Sequence, residues 1–149
     1  MKSDQSIHIL ARAIIIEDNK LLVTTDIKRN VSFLPGGHIH HGEKAHDCLK
    51  RELLEELGEA FKIDSLLGVI EDAWPLKGEL YHGVHLIFKV TPLQTGLIKR
   101  LQSNEAELAL EWLDVDSLAA INNLFPKLLA VKITEWRKSH GVDFCSEWV

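Results

Sequence analysis

Between Leu34 and Gly58 the chain reads LPGGHIHHGEKAHDCLKRELLEELG: a glycine pair, four histidines, one cysteine and a segment studded with carboxylates. Two kinds of metal chemistry are legible in these residue types. Histidines and a thiol suit zinc, which needs three or four convergent ligands at about 2 Å. Carboxylates and backbone carbonyls suit magnesium or manganese, which take octahedral oxygen shells and keep several waters.

Spacing favours the oxygen ligands. The segment Ala45 to Leu57 has helical periodicity, and Gly58 is a natural stop. With Glu52 set at zero on a helix turning about 100° per residue, Glu56 lies near +40° and Glu55 near −60°. Leu49, Leu53, Leu57 and Leu54 fall on the other side, at roughly 60° to 200°. Acids at i, i+3 and i+4 repel by a few tenths of a kcal/mol per exposed pair, and by more when desolvated. Such a stripe calls for a counter-charge, either from Lys50 and Arg51 or from a bound cation. Gly36-Gly37 lets the preceding loop approach closely. Cys48, near −40° on the same wheel and one turn earlier, is small enough for that loop to fold down beside the acids. Adjacent His40 and His41 cannot easily converge from an extended segment, so the expectation for His38, His40, His41 and His46 is a solvated loop.

The stretch Gly37, five residues, Glu43, seven residues, then Arg51-Glu52-Leu53-Leu54-Glu55-Glu56-Leu57-Gly58 resembles the signature of the Nudix hydrolases, G-x5-E-x7-R-E-U-x-E-E-x-G-U, where U is aliphatic. Every fixed glycine and charged position is filled. The final aliphatic slot holds Glu59, a departure in packing more than in ligands, and Lys44 stands where a capping Ser or Thr is frequent. The signature, Gly37 to Glu59, covers about a sixth of the chain.

The resemblance implies a Nudix-like α/β/α sandwich with a mixed β-sheet and a loop–helix–loop. It implies that Glu52, Glu55 and Glu56, with the main-chain carbonyl of Gly36, hold Mg²⁺ or Mn²⁺, and that Arg51 and Glu43 orient the carboxylates. It implies cleavage of a nucleoside diphosphate linked to another group, such as an NTP, a nucleotide sugar, ADP-ribose or a dinucleotide polyphosphate. Bound metal would neutralise the diphosphate and activate the attacking water. A general base in a loop ahead of a late strand is known in the family. Here SNEAELALE, Ser103 to Glu111, offers Glu105, with Glu107 and Glu52 as rivals. Arg12, Phe33, His38 and Tyr81 are the candidates for substrate contact, and Trp74 is another aromatic in reach of that role. The competing reading is a catalytically silent nucleotide-binding module of the same fold.

The elements that must position these groups are short. Ile7 to Ile16 and Leu21 to Thr25 read as a hairpin around Glu17-Asp18-Asn19-Lys20. Val31 to Leu34, Ile63 to Glu71, Tyr81 to Val90 and Glu111 to Leu113 read as strands. Asp116 to Ile121 and Pro126 to Lys138 read as helices. With 149 residues, 46% of them apolar, the expectation is one domain over residues 1–149. A net charge of −5 argues against a nucleic-acid polymer as partner and leaves a small nucleotide, met through a metal. Two cysteines are too few for a disulfide scaffold, and no apolar run approaches a membrane span. A cytoplasmic protein is the expectation. Trp136 and the tail DFCSEWV are the place where a second copy could pack to give a homodimer.

Overall fold

The computed structural model describes residues 6–97, 101–103, 105–138 and 141–148. Met1 to Gln5 of the N-terminal stretch, Asn104 of the SNEAELALE loop and the final Val149 lie outside them. Among the described residues ten strands form two mixed sheets: β1 (Ile7–Ile14), β2 (Ile16–Glu17), β3 (Lys20–Asp26), β4 (Val31–Phe33), β5 (Gly36–His38), β6 (Phe61–Leu76), β7 (Glu79–Pro92), β8 (Leu108–Asp114), β9 (Leu124–Phe125) and β10 (Asp143–Ser146). One sheet runs β10-β6-β7-β1-β5. The other runs β2-β3-β4-β9, with β8 paired to β3. Helix α1 spans Ala45–Leu57, a 3-10 helix spans Val115–Ala120, and α2 spans Leu129–Trp136.

The expected hairpin at Glu17 to Lys20 exists but is small. Asp18 and Asn19 both take positive φ, 50° and 59°, as a tight two-residue hairpin turn requires. They join only β2 to the start of β3. Strand β1 breaks away at Ile15 and enters the other sheet, parallel to β7 and antiparallel to β5. Strands β6 and β7 form the longest hairpin. It turns at Lys77-Gly78, with φ 52° and 81°, and carries two register shifts between Ile63 and Gly68. Within the tail DFCSEWV, Asp143–Ser146 docks on its own chain as β10, parallel to β6. Trp136 is 3% exposed and packs where a Cβ on Gly68 would strike its ring at 2.3 Å, so it serves this chain's own core and not a second copy.

Two apolar clusters sandwich the sheets. On one side Leu49, Leu53 and Leu57 of α1 pack with Ala11, Ala13, Phe88 and Val90. On the other, Leu129, Ile133 and Trp136 of α2 pack with Ile14, Ile70 and Ile87. Full burial of Leu49 and Leu53 contributes about 2 kcal/mol each, which is what fastens α1 against the sheet. Leu54, placed on the apolar side by the helical wheel, is 59% exposed: at the far edge of that arc it points past the sheet into water.

Candidate active site

Helix α1 begins without a side-chain cap at Lys44 and ends at Gly58, whose φ of 67° lets its N–H reach the Leu54 carbonyl. No basic residue occupies its last turn. Glu55 and Glu56 therefore sit at the end of the helix where the macrodipole disfavours negative charge. The stripe is costly on two local counts, like-charge spacing and dipole, so its counter-charge must come from elsewhere.

Part of it comes from Arg51. Its Nε donates to Glu43 Oε2 at 2.8 Å and its Nη2 to Glu43 Oε1 at 3.0 Å, a two-point grip across the loop. Its Nη1 reaches Glu52 Oε1 at 3.0 Å and Glu55 Oε1 at 3.4 Å. The Arg51 hydrogen bonds hold the Glu43 carboxyl down to about 2, and Glu43 in turn raises the guanidinium further above its ordinary value. The Cys48 thiol lies in hydrogen-bond contact with the His38 carbonyl at 3.4 Å and the Gly37 carbonyl at 3.8 Å. Burial pushes it up to about 11, so it remains a thiol packed under the loop.

The loop itself is fitted to the acids. A Cβ on Gly37 would fall 2.4 Å from the Glu52 carboxylate carbon. Gly36 takes a φ of 142°, and a Cβ there would fall 2.0 Å from the Ala11 carbonyl oxygen. The Gly36 N–H donates to Glu56 Oε2 at 3.3 Å. Glu56 is 8% exposed, and burial pushes its carboxyl up to about 8, with the charges of Glu52 and Glu105 adding to the rise. Burial also raises Glu52.

Glu52 and Glu56 thus turn toward the glycine loop, while Glu55 stays on the exposed side, tied to Arg51. Among the described residues no three His, Cys, Asp or Glu side chains stand gathered as a ready-made metal cluster. The histidines are dispersed: His46 meets the Phe88 ring edge-on at 5.2 Å, and His38 is bonded to Tyr81. For the acids, the site carries more negative charge than Arg51 offsets, in a cradle that a single Cβ would fill. Oxygen-only donors, excess negative charge and a glycine-lined gap fit Mg²⁺ or Mn²⁺. Glu52, Glu56, Glu55 and the Gly36 carbonyl are the groups that could hold one.

The sequence matches the NUDIX domain over residues 7–132. The chain belongs to the Nudix hydrolase family. Its fold is similar to that of the MutT protein from Methanosarcina mazei Go1, at a TM-score of 0.73 and 15% identity, covering 92% of this chain and 97% of that one. It is similar to a MutT NUDIX hydrolase from Burkholderia pseudomallei, at 0.64 and 23%, covering 75% and 86%. It is similar also to an ADP-ribose pyrophosphatase from Streptococcus suis 89-1591, at 0.63 and 15%, covering 94% and 98%. No curated protein matches the sequence. Among the described residues no helix is long and apolar enough to cross a membrane.

Around the Nudix loop–helix unit, the remaining candidates separate. Arg12 lies over the Phe33 ring at 5.7 Å and donates Nη1 to the Leu34 carbonyl at 3.1 Å. It makes no ion pair among the described residues; burial lowers it, and the charges of Glu56, Tyr81 and Glu52 pull it back up. His38 Nε2 lies 2.9 Å from the Tyr81 hydroxyl. Burial lowers His38 and raises Tyr81. Glu105 is exposed, with its charge felt at Glu56. Glu107 points elsewhere, onto Lys28 Nζ at 3.0 Å.

Sequence reasoning passed over His8, Asp72, Gly83 and His85. Asp72 and His85 are buried, 6% and 3% exposed, and paired at 3.0 Å. The signal was present: buried-strand sequence interrupted by polar residues, as in YHGVHLIF, is where polar groups need a reason to be.

Proposed function

We propose that this Nudix protein hydrolyses the pyrophosphate bond of a nucleoside diphosphate linked to another moiety, an NTP, nucleotide sugar, ADP-ribose or dinucleotide polyphosphate, with Mg²⁺ or Mn²⁺ as cofactor. The observation that carries this reading is the placement of Glu52 and Glu56 against Gly36-Gly37, a pair of desolvated acids facing a backbone cradle. The names of the neighbouring structures, a MutT NUDIX hydrolase and an ADP-ribose pyrophosphatase, support the chemistry and leave the substrate wide.

In this reading Glu52, Glu55 and Glu56, with the Gly36 carbonyl, hold the cation. When bound, the cation would neutralise diphosphate oxygens and acidify water in an in-line displacement. Arg51 and Glu43 keep Glu52 and Glu55 oriented. Arg12, a partly buried guanidinium without a carboxylate partner among the described residues, binds a phosphate oxygen and keeps it beside the acids. Glu105 takes a proton from the attacking water as oxygen bonds to phosphorus. The anhydride P–O bond breaks, its electron pair staying on the departing phosphate. Glu52 is the alternative base. Residues 1–149 act as one domain. Its two described cysteines are free thiols, which supports a cytoplasmic setting. A homodimer would use a surface other than the buried Trp136.

The test is a panel of nucleoside-diphosphate compounds with Mg²⁺ or Mn²⁺, comparing wild type with Glu56→Gln. Turnover by wild type and its loss in the folded variant support the reading. Equal rates remove Glu56 from the mechanism, and binding without turnover across the panel supports a silent nucleotide-binding module.

A further inference from the structure

One face of the β10-β6-β7-β1-β5 sheet carries more chemistry than cleaving an anhydride needs. By strand alternation and register, His8 and Arg12 of β1, Tyr81, Gly83 and His85 of β7, and Asp72 and Trp74 of β6 share it. Four rings form a ladder there. Trp74 stacks on Tyr81 at 3.9 Å and 29°. Tyr81 stacks on His8 at 4.2 Å and 11°. His8 meets His38 edge-on at 5.3 Å. The ladder therefore ends on the glycine loop, beside the acids.

Next to it the sheet has a notch. A Cβ on Gly83 would fall 2.5 Å from Asp72 Oδ1 and 3.1 Å from His85 Nε2. The Asp72 carboxylate occupies that space and takes a hydrogen bond from His85 Nε2 at 3.0 Å. The Asp72 side chain keeps 9% exposure, while His85 Nδ1 is buried with no hydrogen-bond partner. A buried acid–imidazole pair with an unsatisfied atom costs more than an aliphatic pair of the same volume. Its place beside a ladder of half-exposed, polar-edged rings calls for a use.

We propose that the ladder and notch form the subsite for a heteroaromatic ring of the substrate, in which Asp72, held by His85 over Gly83, selects nucleobases bearing an exocyclic amino group. A carboxylate only accepts hydrogen bonds. An amino-bearing edge satisfies it. The carbonyls flanking the ring N–H of uracil or thymine would set lone pairs against it. Stacking on the rings is tolerant of base identity, so the preference falls to Asp72. This rests on the proposed hydrolase activity for what the ring is attached to, and not for the binding itself.

The experiment is equilibrium binding of AMP, CMP and UMP to the full chain by calorimetry; none has an anhydride bond, so affinity is read without turnover. Wild type should bind AMP and CMP at least about 10-fold tighter than UMP. Asp72→Asn should abolish that preference. Gly83→Ala, which crowds the carboxylate out of its notch, should do the same by another route, so a misfolded Asp72 variant leaves the test intact. Trp74→Leu should weaken all three nucleotides and keep their order. Equal wild-type affinities, or a preference that survives Asp72→Asn, would overturn the proposal. Hydrolysis assayed in parallel separates the two readings. Turnover with no base preference sinks the subsite alone, and base preference without turnover sinks the hydrolase alone.

Discussion

Arg51 grips Glu43 with two parallel hydrogen bonds, Nε to Oε2 at 2.8 Å and Nη2 to Oε1 at 3.0 Å, and uses its remaining nitrogen for Glu52. Lysine carries the same charge but has no planar fork. Arg51→Lys is expected to lower kcat/KM and Mn²⁺ affinity about 10- to 100-fold, the usual cost of losing a group that orients metal-binding carboxylates. Glu43→Gln should do the same, and the double variant should be little worse than either single one, because both remove one contact. Steady-state kinetics and Mn²⁺ titration of the three proteins check this. The pair also fixes a pH window. Its folded carboxyl, at about 2, lies below the ordinary 4.5, so its stabilisation is present above 4.5 and is lost as pH falls toward 2.

Glu56 titrates with the opposite sign. Its folded value, about 8, lies above the ordinary 4.5. Between those values the folded state holds a proton that the unfolded chain has released, so stability without metal declines as pH rises from 4.5 to 8. Glu56→Gln removes that slope. At pH 8.5 without metal the variant should melt at least about 3 °C above wild type, a shift of the order of 1 kcal/mol, and the gap should close near pH 5. Added Mn²⁺ should raise the wild-type Tm more than the variant's. Parallel melting curves for the two metal-free proteins would sink the account of Glu56 as a strained, buried acid.

The two loop glycines should fail differently. At Gly36 an added Cβ meets the Ala11 backbone oxygen at 2.0 Å with φ at 142°, and β1 cannot move without breaking the sheet. Gly36→Ala is expected to fold poorly, losing more than about 3 kcal/mol. At Gly37 the Cβ meets only the end of the Glu52 side chain. Gly37→Ala should keep most of its stability, because Glu52 can swing aside, and lose turnover because Glu52 has swung. Thermal melts paired with kcat distinguish the outcomes, and a stable, fully active Gly37→Ala would show that the Glu52 position does not matter.

These contrasts show which features a sequence makes legible. Helix α1 was readable to its boundaries because thirteen residues of apolar period end at a glycine that can adopt φ of 67°. The acids were readable because helical geometry puts Glu52, Glu55 and Glu56 on one side, whereas the role of Arg51 came from the resemblance to the family signature. Strand β5, Gly-Gly-His, was not: three residues carry no period, and its pairing to β1 is tertiary. Nor was the parting of β1 from β3 into separate sheets, since both are short β-prone runs beside a turn signal and the partners that separate them, β7 and β8, are tertiary. Asp72 and His85 lie thirteen residues apart on antiparallel strands, and only the β6–β7 register brings them to one hydrogen bond.

Glu105 and Glu107 are two residues apart on one loop, and the fold separates their roles. Glu107 is engaged with Lys28 at 3.0 Å in a fully solvated pair, worth little to stability. Glu105 has its backbone N–H held by Ser103 Oγ at 3.1 Å and its charge within reach of buried Glu56. If Glu105 accepts the proton of the attacking water, Glu105→Gln should reduce kcat by about 10²- to 10⁴-fold with KM little changed, while Glu107→Gln leaves both constants as they were. Glu105→Asp, with its shorter side chain, should recover part of the loss. The pH profile sharpens the test, since the acidic limb of kcat reports the base in the enzyme–substrate complex and should vanish in Glu105→Gln. A full rate in Glu105→Gln, with that limb retained, would pass the role of base to Glu52.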